Sequence, residues 1–295
     1  LNLEPVRISS SIVRSWQTCE RQWWFAYYRD LQKKEGAHPA SAVGQFVHTW
    51  LEWYYKPGHP SDPQAKMEEK AQEWITLAPE LKQSINEALI LSTTMVGKYP
   101  QWLEDSRMDR DLEWTDTESH ISVEMGEGTE ITLTMKLDNV GRRKSTGLPI
   151  VMDHKSVQSL GQDEPFGRLN PQFRTYDLGM FLHTGVVHDG VLVNELRRVD
   201  SGNEDSKPPY FARWEVRWSI DERRFYWIRL VNIANQIRKA KSKLDAGMDH
   251  RQVLTPSPNS QECKRCDFRI PCLMTEDGSN VEGYIAENYK VEKRI

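Results

Sequence analysis

Two acidic residues close apolar runs that face each other across one turn. Asp138 lies in TMKLDNV and Asp153 in IVMDHKS, fifteen positions later, with GRRKSTGLP between them. Lys155 follows Asp153 by two residues, so on an extended strand their side chains share a face. Two carboxylates and an ammonium at a strand edge suggest phosphodiester chemistry. The carboxylates suit Mg²⁺ or Mn²⁺, hard cations that take oxygen ligands and keep several waters. Such an ion polarises a phosphodiester and lowers the pKa of a bound water. The lysine can position that water or offset charge building on the phosphate. His48 lies in GQFVHTWLEW with Glu52 one helical turn later. An imidazole beside two carboxylates favours the slightly softer Mn²⁺. Gln172 and Tyr176 are also four apart, and could contact a phosphate or order the lysine. Each piece has an ordinary counterpart: a solvated D-x-K ion pair, a structural histidine, a polar pair on a helix surface.

The cysteines form a second constellation. The chain has four: Cys263, Cys266 and Cys272 in ECKRCDFRIPCLM, and Cys19 almost a chain length away in TCERQWWFAYY. Where disulfides do not persist, this usage points to metal. C-x2-C-x5-C leaves a four-ligand site one short, and Cys19 is the remaining thiolate. Structural zinc sites usually pair two local C-x2-C units. A three-plus-one set fits a four-iron, four-sulfur cluster better. Zinc and four unrelated buried thiols stay open as alternatives.

Elements must position these residues. The chain has 295 residues, 38% of them hydrophobic, enough for one large domain or two small ones. No apolar run approaches a membrane span, and LNLEPVRISS does not read as a signal peptide, so a cytoplasmic setting is expected. The net charge of −4 argues against a general nucleic-acid coat but leaves room for a local basic groove. Ser9 to Ser11 are N-cap candidates for a helix leading into the cysteine and its aromatics. Residues 40–55 read as a helix with Val43, Val47, Trp50, Leu51 and Tyr54 on its apolar face. KPGHPSDP, at 56–63, is a break, and residues 64–105 read as polar helices inserted into the domain. Alternating, β-branched runs over 112–140 read as strands, as do LPIVMDHKS, GVLVNELRRV and YFARWEVRWSI. A helix is expected from Pro171, and a long one after Asp221 as N-cap. The order predicts a mixed α/β domain with a helical insertion.

In order along the chain, these pieces resemble the RecB-like branch of the PD-(D/E)XK nucleases. GQFVHTWLE is similar to G-x-x-x-H-x-x-L-E, LDNV followed by VMDHKS to G-x-x-D and D-x-K-T, and QFRTYDLGM to Q-x-x-x-Y. Lys136 and Leu137 stand where the family usually has glycine, and Ser156 where it has threonine. The cysteines resemble the iron–sulfur version found in AddB-type nuclease domains and the CRISPR-associated Cas-four exonucleases. The resemblance implies a restriction-endonuclease-like core, a central mixed sheet flanked by helices, spanning 1–295. It places a helical insertion at 56–111 and an iron–sulfur segment at 255–295 paired with Cys19. It implies Mg²⁺ or Mn²⁺ on His48, Asp138 and Asp153, with Asp138, Asp153 and Lys155 catalytic. Glu52, Gln172 and Tyr176 would support the site, and Cys19, Cys263, Cys266 and Cys272 would hold a 4Fe–4S cluster.

The implied activity is exonucleolytic hydrolysis of DNA, from single-stranded ends, in recombination, repair or CRISPR or phage DNA processing. Candidate DNA contacts are Arg142, Arg143 and Lys144, then Arg197, Arg198, Arg14 and Arg21, with Trp23, Trp24 and Trp53 as stacking surfaces. No G-x-x-x-x-G-K-S/T is present, so a motor would be another chain. Helicase, recombination or CRISPR-adaptation proteins are the implied partners, in a bacterial, archaeal or phage-encoded setting. The rival reading is a catalytically silent DNA-end-binding or docking subunit of a larger complex.

Overall fold

The computed structural model describes residues 4–34, 39–58 and 62–293. In chain order the elements are β1 (Val6–Ile8), α1 (Ser10–Thr18), α2 (Glu20–Trp23), a π-turn (Trp24–Tyr28), β2 (Leu31–Lys33), α3 (Pro39–Tyr55), α4 (Pro63–Leu77), α5 (Lys82–Gly97) and α6 (Tyr99–Ser106). Then come β3 (Leu112–Glu124), β4 (Ile131–Arg143), β5 (Pro149–Val157), α7 (Pro171–Thr184), β6 (Val191–Arg197), β7 (Phe211–Val216) and α8 (Ile220–Asp245). The chain ends in α9 (His250–Val253), α10 (Ser260–Arg265), α11 (Arg269–Asp277), α12 (Val281–Asn288) and β8 (Tyr289–Val291). Two compact units emerge: Gly36–Val123 with Met135–Arg224, and Leu1–Glu35 with Glu124–Thr134 and Phe225–Ile295.

The first of these units is built on a mixed sheet. β4 pairs antiparallel with β5, β5 parallel with β6, and β6 antiparallel with β7, while β3 lies on β4. A parallel pair needs a crossover, and α7 lies in the connection between β5 and β6. Alternation along the strands divides their side chains between two cores. Ile150, Met152, Leu192, Leu196 and Phe211 pack with Phe46, Val47, Trp50 and Leu51 of α3 and with Met67 and Met95 of the following helices. Val151, Val191, Val193 and Trp214 pack instead with Phe173, Tyr176 and Met180 of α7. The result is the expected α/β class, a central mixed sheet with helices on both faces.

Buried polar groups are joined rather than scattered. His154 on β5 bonds Asn139 Oδ1 at 2.9 Å and Asn194 Nδ2 at 3.0 Å. Asn194 Oδ1 accepts from Tyr99 at 3.0 Å and from Arg213 Nε at 2.8 Å. Arg213 also donates to Tyr99 and Tyr55 and pairs with Asp109. Burial pushes His154 down to about 3, so its ring is neutral, with Nδ1 accepting and Nε2 donating.

In the other unit, β1 runs parallel to Ile131–Leu133. Ser9 caps α1, its Oγ accepting from Ile12 N at 3.3 Å. The N- and C-terminal segments are tied by several contacts: β2 with β8, Phe25 stacked on Phe268 at 5.3 Å, and a two-point Arg29–Glu282 ion pair at 2.9 and 2.7 Å.

Several expectations change. The long helix begins one residue before Asp221. Ser219 and Glu222 form a reciprocal capping box there, Ser219 N donating to Glu222 at 2.8 Å and Glu222 N to Ser219 Oγ at 3.2 Å. The hairpin turn is shorter than GRRKSTGLP, because β4 continues to Arg143. The break at 56–63 is described only in part, since residues 59–61 lie outside the described residues. Helices fill 63–106 as anticipated, apart from short turns.

Tyr99→Phe should keep the shape of the buried network and remove its shared hydroxyl. Urea unfolding should show a loss of about 1–3 kcal/mol with an unchanged m-value. An unchanged midpoint would mean the Tyr99 hydroxyl contributes nothing to stability.

Candidate active site

The site begins where β4 and β5 part. Their ladder pairs Arg142 with Pro149 through to Asn139 with Met152 and goes no further. The next residue of β4, Asp138, takes over with its side chain: Oδ2 accepts from His154 N at 2.7 Å. The carboxylate thus satisfies a backbone donor that the departing strand no longer meets. His48, on α3, brings Nδ1 to 3.5 Å from the same oxygen.

Asp153 is buried, at 1% side-chain exposure. Its Oδ2 lies 2.8 Å from Lys155 Nζ but takes part in no hydrogen bond of sound geometry. α7 supplies the bridge. Gln172 accepts from Lys155 Nζ at 3.0 Å and donates to Asp153 Oδ1 at 3.2 Å and to Tyr176 at 2.6 Å. Gln172 can do this because Asn170 caps α7, its side chain accepting from Gln172 N at 2.9 Å and fixing the first turn.

The two carboxylates are pushed in opposite directions. Burial would raise Asp138, but His48 and the His154 N–H hold it well below the usual carboxylate range. Burial raises Asp153 to about 6, with Lys155 opposing and Asp138 adding to the rise. Burial also works against charge on His48 and Lys155, yet Asp138 raises the first and Asp153 the second. Lys155 is therefore a fixed cation rather than a base.

One participant had no sequence expectation attached to it. Glu118, on β3, brings a carboxylate oxygen within 4.8 Å of ligand atoms of both His48 and Asp138, and Asp153 stands outside this set. Glu118 has φ 53°, an uncommon value for a non-glycine residue inside a strand. Asp116, two residues earlier, accepts from Thr117 N at 2.9 Å and from Ser119 Oγ at 2.6 Å, a local alternative to regular pairing. The polar run D-T-E-S within an otherwise alternating strand was the available signal. Lys136 forms an ion pair with Glu118. Nitrogen and oxygen donors in this set, beside a buried carboxylate oxygen lacking a hydrogen bond, fit a Mn²⁺- or Mg²⁺-class ion.

Other expected residues are placed differently. Glu52 pairs with Lys56 at 3.9 Å and is not among the clustered ligand atoms. Arg142 and Arg143 lie at the far end of β4 and are taken up by acids: Arg142 by Glu113 at 2.7 Å, Arg143 by Asp189 and by Glu215 at 2.6 Å. Lys144 donates to the Arg110 carbonyl at 3.1 Å. Trp23 and Trp24 are buried and so not open to bases, Trp24 stacking on His250 at 3.9 Å. Trp53 instead carries Lys56 and Lys66 over its ring, at 4.4 and 5.1 Å. Arg198 donates to Ser156 Oγ from both Nε and Nη2, at 3.1 and 2.9 Å, one residue beyond Lys155.

Cys19, Cys263, Cys266 and Cys272 all line one cavity of about 410 Å³, with Phe25 and Phe268 in its wall. All four are free thiols. Among the described residues no three of their sulfurs lie within 4.8 Å of one another. Burial pushes Cys266 up to about 11, with Cys19 and Cys272 close enough to add to the rise.

A mixed α/β sheet that opens to present D-x-K, with a helical Gln bridging acid and lysine, defines a class of phosphodiester-cleaving proteins. The chain belongs to the PD-(D/E)XK nuclease superfamily, which it matches over residues 7–273. That span includes His48, Glu118, Asp138, Asp153, Lys155, Gln172 and all four cysteines. No curated protein matches the chain by sequence. Members of this superfamily are nucleases that typically depend on divalent metals. Among the described residues no helix is long and apolar enough to cross a membrane.

Glu118→Gln should weaken Mn²⁺ binding, measured by calorimetry, by about tenfold or more if Glu118 is a ligand; unchanged affinity would remove it from the site. Asp153 and His48 are both raised, so both take up protons as pH falls, and if they hold the cation they must release those protons to bind it. Mn²⁺ affinity should therefore fall by about tenfold per pH unit per competing proton below pH 6. A flat profile from pH 7.5 to 5 would contradict this.

Proposed function

We propose that the protein is a divalent-metal-dependent deoxyribonuclease that degrades DNA exonucleolytically from single-stranded ends. The convergence of Asp138, Asp153, Lys155 and Gln172 at the opening between β4 and β5 carries the metal-dependent cleavage in this reading, and the RecB-like resemblance extends it to single-stranded ends. His48, Asp138 and Asp153 would hold the cation, with Glu118 beside them. When bound, the cation supplies Lewis acidity to the scissile phosphate and lowers the pKa of the attacking water.

The chain's own residues do the remaining work. Lys155 keeps its proton and places a positive charge where the phosphate becomes more negative. Gln172 holds the ammonium and the Asp153 carboxylate in fixed relation, so neither reorients during reaction. Tyr176, a neutral phenol raised by burial, accepts from Gln172 and fixes the amide in turn. Arg198, which donates to Ser156 beside Lys155, and Lys70 would be contacts for backbone phosphates in this unit. Lys70 donates to Thr49 at 2.9 Å, close enough to Glu118 and Glu52 to feel their charge.

The four cysteines would bind a 4Fe–4S cluster. All four cysteines line one cavity, which supports this reading. Zinc–sulfur bonds of about 2.3 Å would bring four tetrahedral thiolates within about 4 Å of one another, whereas no three of these sulfurs lie within 4.8 Å of one another. A cluster there would close a loop of nearly the whole chain between α2 and the C-terminal helices. A helicase, recombination or CRISPR-adaptation partner would be a separate chain.

The deciding experiment is an end-labelled assay on anaerobically purified protein, with single- and double-stranded DNA and Mg²⁺, Mn²⁺ or EDTA. Metal-dependent laddering from one end is expected, and Lys155→Ala should lower the rate by 10²-fold or more with the fold intact. Cleavage unaffected by Lys155→Ala would overturn the site assignment. Folded, iron-loaded protein that binds DNA ends and never cuts would favour the docking-subunit reading.

A further inference from the structure

The cavity shared by the four cysteines contains one residue that the nuclease site does not need. Arg21 lines it, two positions after Cys19. Its residue exposure is 4%, a rare depth for a guanidinium with one carboxylate partner among the described residues. That partner, Glu276, is 61% exposed in its side chain. Arg21 Nη1 lies 3.6 Å from Cys272 Sγ, within hydrogen-bond reach of sulfur. Arg21 Nε is buried and has no hydrogen-bond partner among the described residues. A buried donor left unpaired is costly, and a buried cation more so. Four neutral thiols offer weak acceptors and no charge to offset either cost.

We propose that Arg21 is the internal counter-cation of the cysteine-bound cluster and raises its reduction potential. This rests on the iron–sulfur reading given above. A 4Fe–4S core of charge 2+ with four thiolates carries a net charge of 2−. One-electron reduction takes the core to 1+ and the assembly to 3−, without making or breaking a bond. A fixed guanidinium stabilises the more negative state more, and N–H donors to sulfur act in the same direction. Glu276 tempers the effect, because its carboxylate offsets part of the guanidinium's charge.

A residue that merely anchored α11 through Glu276 would not move the potential, so the test reads the potential rather than activity. Full-length protein, purified anaerobically, is titrated with dithionite as electron donor while the cluster is followed by absorbance and electron paramagnetic resonance. Arg21→Gln should lower the reduction equilibrium constant at least tenfold, about 59 mV toward negative potential. Arg21→Lys, which keeps the charge, should restore at least half of that shift. Glu276→Gln leaves the guanidinium uncompensated and should shift the potential the opposite way. It decides the matter if Arg21→Gln cannot retain the cluster. Full iron content with potentials unmoved in the variants overturns the role of Arg21 alone. Wild-type protein holding zinc, or no iron and sulfide, overturns the cluster reading and this inference with it.

Discussion

The hydrogen bond from His154 N to Asp138 Oδ2 is the constraint on which the rest of the candidate site depends. A regular antiparallel ladder would have carried β4 and β5 past Asn139 and Met152, with the following backbone groups paired to each other. Instead a side chain serves as acceptor, and the strands are free to separate. One contact thereby orients a carboxylate, satisfies a buried donor and opens the sheet. His154 must stay in place for this to work. Its ring is held from both nitrogens by Asn139 and Asn194, and Asn194 is held by Tyr99 and Arg213. Polar residues thus occupy part of the interior where the sheet alternation would otherwise call for apolar ones. Asn139 and Asn194 satisfy both ring nitrogens, which lets a neutral histidine be buried behind a charged site, while Asn139 Nδ2 has no partner among the described residues.

Much of this was legible from spacing alone. Asp153 and Lys155 share a strand face, and Gln172 and Tyr176 a helix face, and both relations follow from backbone periodicity. The apolar positions of α3 were readable because Val43, Val47, Trp50 and Leu51 repeat at helical intervals and are buried together. The start of α7 was readable from Pro171, because proline is favoured at the first helical position.

What escaped depends on contacts without period. β1, β2 and β8 have three residues each, too few for alternation to register, and exist because a distant segment meets them. Glu118 is aimed by a local distortion that no two-residue repeat encodes. The engagement of Arg142 and Arg143 by Glu113, Asp189 and Glu215 is a tertiary matter. A basic run in sequence carries no information about the acids it will meet. The buried state of Trp23, Trp24 and Arg21 likewise reflects what packs over them.

The electrostatics of the site give its design a direction. Asp138 is an acid stabilised in its charged form, while Asp153 is an acid whose charge the fold resists. An acid raised in the folded chain favours folding most below its unfolded value of about 4. That contribution is lost as pH rises through about 6, so at neutral pH ionised Asp153 costs stability. Lys155 and Gln172 offset part of the cost through Oδ2 and Oδ1, leaving one buried oxygen without a well-formed hydrogen bond. A divalent cation is the partner that would complete the balance, because it adds positive charge where neither lysine nor amide can supply enough. On the proposed reading the same incomplete compensation serves both ends: it costs the free protein stability and gives the cation its affinity.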